Sequence, residues 1–537
     1  MSPTPPKACA GSAAVTGGGG EEIYDVAITG FGPAGAVAAA LLGQAGLKVW
    51  VGDRLPDVYE IPRAIALDHE IMRVFQQIGV VEAIAPYFEP FTNSEYFGVD
   101  GQLIRRMTMV APPYPQGYTP SLVFTQPPVE RALRARVAEL PTVTVVLSTE
   151  VLDLHQDADG VSLDLRQADG TVGQVRARWA LACDGGSSGL RSRLGIGLID
   201  LDFDEPWLVV DVLCNERGLA KLPRTSVQYC EPARPCTYVI GPGAHRRWEI
   251  SLQPGEDPRE AATPERTWAL LSRWLTPEDG TLWRQSSYRF HALVADRWRV
   301  GRAFVAGDAA HMQPPFLGQG MCQGVRDVAN LCWKLISVQR GEVRGAAAER
   351  LLDSYGAERQ AHVRELTTRI KAVGAVICER DVARARERDA RLLADCGGVV
   401  RDTPRQDVLP PLTQGLLAAQ DSPGRGLLFP QPWLKDGTGR PVRLDHALGT
   451  GWRLVLGEGL PPSLADLAAG AEAGGGLPGL AVLHLGRQPE TEGVVAAWLD
   501  RQRCHAALVR PDHYVFGTAT DAAGVTALLQ EAAAALC

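Results

Sequence analysis

Apolar and polar residues change period several times along the chain, and each change marks an element. Residues 24–29 form a short apolar run rich in β-branched side chains, 36–45 an Ala/Leu-rich stretch, and 47–51 a second apolar run. The order predicts strand, helix, strand. Helices are predicted near 66–79 and from about 124 to 139, the second with prolines in its first turn. Strands follow at 143–147 and 150–154, with a hairpin from 161–167 to 173–178 turning at Asp169-Gly170. Residues 179–183 and 302–306 read as buried strands and 321–337 as a helix.

Residues 95–110 and the stretches 207–212, 226–229, 237–241, 247–253 and 287–291 alternate with a period of two. That predicts an antiparallel sheet with one buried face, on which Tyr229, Tyr238 and Trp248 either wall an aromatic pocket or are ordinary core or surface aromatics. Residues 340–395 are helical and heavily charged, the run 380–391 reading as a solvated helix face. Pro404, Pro410 and Pro411 mark a linker. Beyond it, strands are predicted at 452–456, 481–485, 506–510 and 514–516, with a closing helix at 522–536.

Composition narrows the function classes. A chain of 537 residues has room for two or three domains. Its net charge of −8 and the lack of a basic block argue against a nucleic-acid partner. No apolar run approaches the ~18 residues of a membrane span. Eleven cysteines without a C-x-x-C pair read as reduced thiols of a cytoplasmic protein, with no disulfide framework and no metal site. Residues 1–21, rich in Ala, Gly, Pro and Ser, are expected to be a disordered tail, too broken for a signal peptide.

Three stretches carry chemistry. The first strand runs into Gly30-Phe31-Gly32-Pro33-Ala34-Gly35, and the second ends at Asp53. Gly30 permits a tight turn, Gly32 lets backbone approach a pyrophosphate, and Gly35 lets helix and strand pack closely. Asp53 is placed to accept ribose hydroxyls; the motif alone does not separate FAD from NAD. The strand ending in Cys183 is followed by Asp184-Gly185, and the strand ending in Ala306 by Gly307-Asp308. The latter leads through Pro314-Pro315 and Gly318-Gln319-Gly320 into a helix. A helix N-terminus favours a group that holds negative charge, and a carboxylate at a sheet edge favours a hydroxyl-rich chain. Arg63, just before a helix on the same side, is a candidate cofactor contact. One ligand as long as FAD reaches all three sites.

Together these motifs resemble the single-component FAD-dependent aromatic hydroxylases over residues ~22–395. Arg63-Ala64-Ile65-Ala66-Leu67-Asp68, Phe124-x-Gln126-Pro127, Arg247-Trp248-Glu249 and Pro254-Gly255-Glu256 resemble their 3-(3-hydroxyphenyl)propionate hydroxylase subgroup. The resemblance implies an α/β fold with a Rossmann-type FAD-binding domain (about 22–85, 120–200 and 286–395). An antiparallel-sheet substrate domain (about 86–119 and 201–285) is inserted into it. A linker (396–440) and a C-terminal thioredoxin-like domain (441–537) without C-x-x-C follow, the last in a structural or dimer-contact role in a homodimer.

By the same resemblance, Gly30, Gly32 and Gly35 hold the pyrophosphate, Asp53 the adenosine ribose and Arg54 the adenine side. Arg63 and Gln126 contact the ribityl-pyrophosphate region. Asp184 belongs to the shared flavin and pyridine-nucleotide motif, and Gly307 and Asp308 bind ribitol. Gly318, Gly320, Met321 and Cys322 present backbone to the flavin pyrimidine, and Pro315 borders the substrate side of the ring. Asp68, His69, Tyr238 and His291 are the candidates for acid–base work on the substrate, with Arg246 or Arg247 for a substrate carboxylate. The implied reaction is ortho-hydroxylation of a phenol by a flavin C4a-hydroperoxide, using O2 and transiently docked NAD(P)H. The alternatives are an oxygenase acting on a polyketide-type aromatic and a non-catalytic flavin-binding module.

Overall fold

The computed structural model describes residues 23–464 and 477–537; the expected tail at 1–21 lies outside the described residues. The first sheet grows from the strand Ile23–Thr29, which pairs in parallel with Val49–Gly52 on one side and Val172–Ala182 on the other. Val143–Val146 and Ala303–Val305 extend the parallel set. Val26, Ala27 and Ile28 are fully buried, as strands covered on both faces must be. On one face, the helices Pro33–Gln44 and Gly320–Gln339 contribute Val37, Leu42, Val325 and Leu331 to the largest core. On the other, Ala27, Trp50 and Ala180 pack with Val161, Leu163 and Leu165.

The sequence pattern divides residues 173–183 into a hairpin arm and a separate buried strand. The structure has one strand, Val172–Ala182, because its first half pairs antiparallel with Val161–Gln167 and its second half parallel with Ile23–Thr29. The burial pattern changes along it while the backbone runs on.

The second sheet has nine strands. It runs from His311–Met312 through Gly280–Ala295, Leu198–Cys214, His245–Ser251, Cys236–Ile240, Ser226–Tyr229, Ser94–Phe97 and Leu103–Thr108 to Arg401–Pro404. Two features differ from expectation. Part of the linker is built into the sheet: Arg401–Pro404 pairs in parallel with Leu103–Thr108, and Pro404, which has no N–H to donate, ends that edge strand. The charged helix Val382–Ala394 is not simply solvated. Arg388 donates to the carbonyls of Val376 (2.7 Å) and Cys230 (3.1 Å), and Asp389 accepts from the Val99 amide (2.8 Å).

The C-terminal part is a four-stranded sheet in the order Ala481–His484, Arg453–Leu456, Ala506–Val509, Val515–Ala519. The first pair is parallel and the others antiparallel. Its core is shared: Trp452, Leu454 and Phe516 pack with Trp333, Ala347 and Leu351 of the neighbouring helices. Buried ion pairs cross the same boundary. Asp445 accepts from Arg73 Nε (2.6 Å) and Arg453 Nη1 (2.5 Å), while Arg510 joins Glu358 (2.7 Å) to Asp512 (2.6 Å).

Burial works to raise the Asp445 pKa, but Arg73, His513 and Arg453 outweigh it and hold the carboxyl far below its ordinary range. Asp445→Asn leaves two buried guanidinium groups short of a counter-charge, so it should cost about 3–5 kcal/mol in urea unfolding at pH 7. A depressed folded-state pKa contributes stability above the ordinary carboxylate value, roughly 4, and loses it as pH falls. The penalty of the substitution should therefore shrink as the pH is lowered toward about 3.

Candidate functional site

A cavity of about 450 Å³ opens between the carboxyl edge of the parallel sheet and one face of the nine-stranded sheet. Three glycines at its first end divide their work. Gly30 has φ +96°, and a Cβ there would lie 2.3 Å from the Cys183 carbonyl oxygen. A Cβ on Gly35 would lie 2.0 Å from the Gly30 oxygen. Both are required by the turn itself. Gly32 lines the cavity, and a Cβ there would meet nothing within 4 Å; its bareness serves something that approaches from outside. Asp53 is fixed by the amides of Phe31 (2.7 Å) and Leu55 (2.8 Å), and Arg54 is exposed just beyond it. Arg134 lies over the Phe31 ring, with Nη2 3.9 Å from Asp53 and its buried Nη1 without a hydrogen-bond partner.

The loop carrying Arg63 is pinned from below. Gln126 Oε1 accepts from the amides of Arg63 (2.8 Å) and Ala64 (2.6 Å), so the Gln126 side chain shapes the wall that it also lines. Asp184 likewise turns into its own loop, accepting from Ser188 Oγ (2.5 Å) and the Leu190 amide (3.3 Å), while Gly185 beside it lines the cavity.

Asp308 is aimed by a buried carboxylate behind it. Asp327 accepts from the Gly307 amide (2.9 Å), His311 Nε2 (2.8 Å) and Arg359 Nε (2.9 Å). This holds the Gly307 turn against Gly324, where a Cβ would meet Gly307 Cα at 3.1 Å, and leaves Asp308 exposed to the cavity. Past Pro315 the chain takes two left-handed residues, Leu317 (φ +80°) and Gly318 (φ +63°). Leucine rarely adopts that conformation, and Arg405 Nη2 donating to the Leu317 carbonyl (2.7 Å) helps to hold it. The helix Gly320–Gln339 then begins without a side-chain cap. Gly320 and Met321 line the cavity, so the free N–H groups of that N-terminus point at its contents. Cys322 is turned away, its buried thiol 3.9 Å from the carbonyl oxygens of Ala66 and Gly318.

The far wall corrects the expected aromatic pocket. Successive strand residues face opposite ways, so Gln228, Thr237, Val239, Arg247 and Glu249 face the cavity while Tyr229, Tyr238 and Trp248 face the other side. Those aromatics pack with Leu271, Leu275 and Ala261 in a separate core. Tyr238 donates only to the Pro223 carbonyl (3.4 Å), and burial pushes its hydroxyl up to about 12.

Asp68 and His69 are also not brought to the cavity wall. The predicted helix starts only at His69, because Ala66–Asp68 pairs with Ser121–Phe124. Asp68 caps that helix, accepting from the amides of Glu70 (3.1 Å) and Ile71 (3.3 Å), and is salt-bridged to Arg326. Burial holds His69 down at about 4 and therefore neutral. Pro315 and His291 do line the cavity, His291 with Nδ1 3.7 Å from Asp204. Neither Arg246 nor Arg247 is free for a substrate carboxylate. Arg246 donates to its own turn, and Arg247 holds Asp211 (2.7 and 3.1 Å) and the Arg63 carbonyl (2.8 Å).

The wall instead presents Tyr96, Gln228, Thr237, Glu249 and Arg405, none of them a candidate site residue from the sequence, where Glu249 stood only within the Arg247-Trp248-Glu249 resemblance. Strand register aligns the first four in one row: Tyr96 beside Gln228, Gln228 beside Thr237, Thr237 beside Glu249. The alternation of Arg247 and Glu249 around Trp248 carried this signal. Arg405, from the supposed linker, stacks on Phe91 at 4.4 Å.

This cavity suits FAD: the bare approach at Gly32, the exposed carboxylate of Asp308 and the open helix N-terminus at Gly320 each match a part of an anionic, hydroxyl-rich dinucleotide. An FAD binding domain model matches residues 23–370, and an HcaD C-terminal domain model matches 426–535. The chain is 37% identical to the "Probable NADH-specific resorcinol 4-hydroxylase" of Rhodococcus jostii (strain RHA1), covering 97% of this chain and 96% of the relative. It is 32% identical to the 3-(3-hydroxy-phenyl)propionate/3-hydroxycinnamic acid hydroxylase of Burkholderia cenocepacia (strain HI2424), covering 95% and 96%. Among solved structures, the flavin-dependent monooxygenase PieE, in complex with FAD and substrate, superposes with a TM-score of 0.79 over 96% of this chain and 99% of that one. At 22% identity that last likeness speaks for the fold alone. The chain belongs to the FAD-dependent aromatic hydroxylase family.

Proposed function

We propose that the protein hydroxylates a single-ring phenol ortho to its hydroxyl group, with FAD resident, NADH as reductant and dioxygen as oxidant. The observation that carries this reading is the continuity of one cavity from the glycine cradle, past Pro315, to the polar sheet face. Names of the relatives support NADH and a phenol: resorcinol in one, 3-(3-hydroxyphenyl)propionate in the other. Arg405 favours the propionate, since its guanidinium faces the cavity and its hydrogen bond among the described residues is to a carbonyl, not a carboxylate. Resorcinol is the second reading, favoured by a row of hydroxyl- and amide-bearing side chains that matches two substrate hydroxyls.

Bound FAD would supply the reduced flavin that activates dioxygen. The protein's own share is positioning and exclusion of water. Gly32 and the Gly320 helix N-terminus would hold the cofactor's anionic and electron-rich ends, Asp308 its ribitol, and Asp53 with Arg134 its adenosine. Pro315 and Phe316 would hold the substrate ring against the flavin, Phe316 being fixed edge-on by Trp207 at 5.6 Å. We further propose that residues 441–537 form a thioredoxin-like brace, supported by the strand order and the parallel first pair. The ten cysteines among the described residues are all free thiols, which supports a cytoplasmic enzyme.

The test is NADH oxidation by the purified protein with and without 3-(3-hydroxyphenyl)propionate and resorcinol, with product identified. A phenol-stimulated rate with a newly hydroxylated ring is expected; unstimulated oxidation with no ring product would overturn the reading. For the cofactor site, Gly32→Ala and Asp308→Ala should fold with an unchanged apoprotein Tm yet bind FAD at least about 10-fold more weakly, roughly 1.4 kcal/mol. Gly35→Ala, which drives a methyl into the Gly30 carbonyl, should fail to fold instead. Full yellow occupancy of the purified Asp308→Ala protein would remove that residue from the site.

A further inference from the structure

We propose that Glu249 is the base that takes the phenolic proton of the substrate, with Gln228 fixing the substrate oxygen beside it. The proposal rests on the phenol reading above. Glu249 sits mid-strand in His245–Ser251, 7% exposed, with its side chain on the cavity wall. Among the described residues its carboxylate makes no hydrogen bond and no ion pair. Its oxygens are not sealed within the protein but open to the cavity, where a partner can arrive from outside.

Its surroundings explain why it stays unpaired. Arg247, on the same strand face, is committed to Asp211 and to the carbonyls of Pro62 and Arg63. Arg284, from the strand Gly280–Ala295, is likewise held by the Pro62 carbonyl and lies 3.6 Å from Asp211. The remaining titratable groups on the cavity wall are Arg63, Tyr96, Cys183, Tyr288, Arg289, His291, Asp308, His311 and Arg405. Burial is the leading influence on Glu249; Arg247 and Arg284 pull its pKa down, Asp211 pushes it up, and the balance raises it to about 7. A carboxylate at that value gains and loses a proton at neutral pH, which general acid–base work requires.

Gln228 supplies orientation. Thr237 Oγ1 donates to Gln228 Oε1 (2.6 Å), which fixes the amide so that its NH2 group remains as the donor. A phenol oxygen between that donor and Glu249 has one group to accept from and one to donate to. In the step, the phenol O–H bond breaks, the proton passes to a Glu249 carboxylate oxygen, and the electron pair stays on the phenolate. The pair raises electron density at the ortho carbon, where oxygen from dioxygen is added. Transfer of the ring proton from that carbon to oxygen restores aromaticity. The proton on Glu249 joins those used in reducing the second oxygen atom to water, so the carboxylate is regenerated each cycle.

The experiment compares FAD-loaded wild type with Glu249→Gln and Glu249→Asp. It follows hydroxylated product and NADH oxidation from pH 5.5 to 10 with 3-(3-hydroxyphenyl)propionate and resorcinol. Wild-type kcat/KM for product should fall below a midpoint near pH 7. Glu249→Gln should lose roughly 100-fold or more in product formation at pH 7.5, the scale of general-base catalysis. It should keep its FAD, and its residual rate should rise tenfold per pH unit as the phenol ionises by itself. Glu249→Asp should retain an acidic limb. If wild type makes product and Glu249→Gln matches its rate and pH profile, the Glu249 assignment is wrong and the phenol reading stands. If wild type makes no hydroxylated phenol, both fall together.

Discussion

Arg326 is the group on which the arrangement around the cavity depends. It is fully buried in the helix Gly320–Gln339 and is matched by the carboxylates of Asp68 and Glu70 and by Gln319 Oε1 (2.9 Å). Tyr514, from the C-terminal part, completes the group by donating to Glu70 (3.0 Å). One guanidinium thus ties together the cap of the second helix, the turn before Gly320 and the C-terminal sheet. Removing Arg326 would strand two carboxylates out of reach of water, so it holds these pieces in one relative position. The open N-terminus at Gly320 is dependable because the residue just before it, Gln319, is clamped from behind. The same logic recurs at Asp327, which holds the turn that presents Asp308.

The cofactor end of the site was legible in the sequence because its constraints are local. Gly30 and Gly35 are forced by contacts within a few residues or with the adjoining strand, and such turns leave a fixed spacing in the chain. The substrate end was not legible, for a reason built into strands. The alternation at 226–229, 237–241 and 247–253 was readable, but a period of two does not say which face meets the ligand. Aromatic residues suggested Tyr229, Tyr238 and Trp248; the structure buries that face beneath helices around Leu271 and turns the polar face to the cavity. Three of the polar wall residues lie one position from those aromatics: Gln228 beside Tyr229, Thr237 beside Tyr238, Glu249 beside Trp248.

Asp68 shows a second kind of misreading. The sequence pattern puts Asp68 inside a helix at 66–79 and makes it a candidate for acid–base work; the helix starts at His69, and Asp68 is its cap, a position acid residues commonly take. Its two backbone hydrogen bonds and its bond to Arg326 use it structurally. Arg405 shows a third. Proline spacing marked residues 396–440 as a connection, and only the pairing of Arg401–Pro404 with a strand nearly three hundred residues earlier brings Arg405 to the cavity. Long-range pairing of this kind leaves no local pattern, whereas the parallel sheet and the helix at 320–339 did.

The buried acids of this protein separate by what they face. Asp211 faces Arg247, Asp327 faces Arg359, Glu358 faces Arg510, and Asp445 faces Arg73 and Arg453. In each, the facing cations (His311 ahead of Arg359 at Asp327, arginine first at the others) overcome the cost of burial and hold the carboxyl below its ordinary range. Glu249 is buried too and has two arginines close at hand, yet its pKa moves the other way: burial raises it, and Arg247 and Arg284, engaged with Asp211, pull it down too little to offset that. A chain that pairs buried carboxylates so thoroughly elsewhere departs from its own rule on the wall of its main cavity. Departures of that kind, where stability is given up and a ligand can restore it, mark the places where a protein does its chemistry.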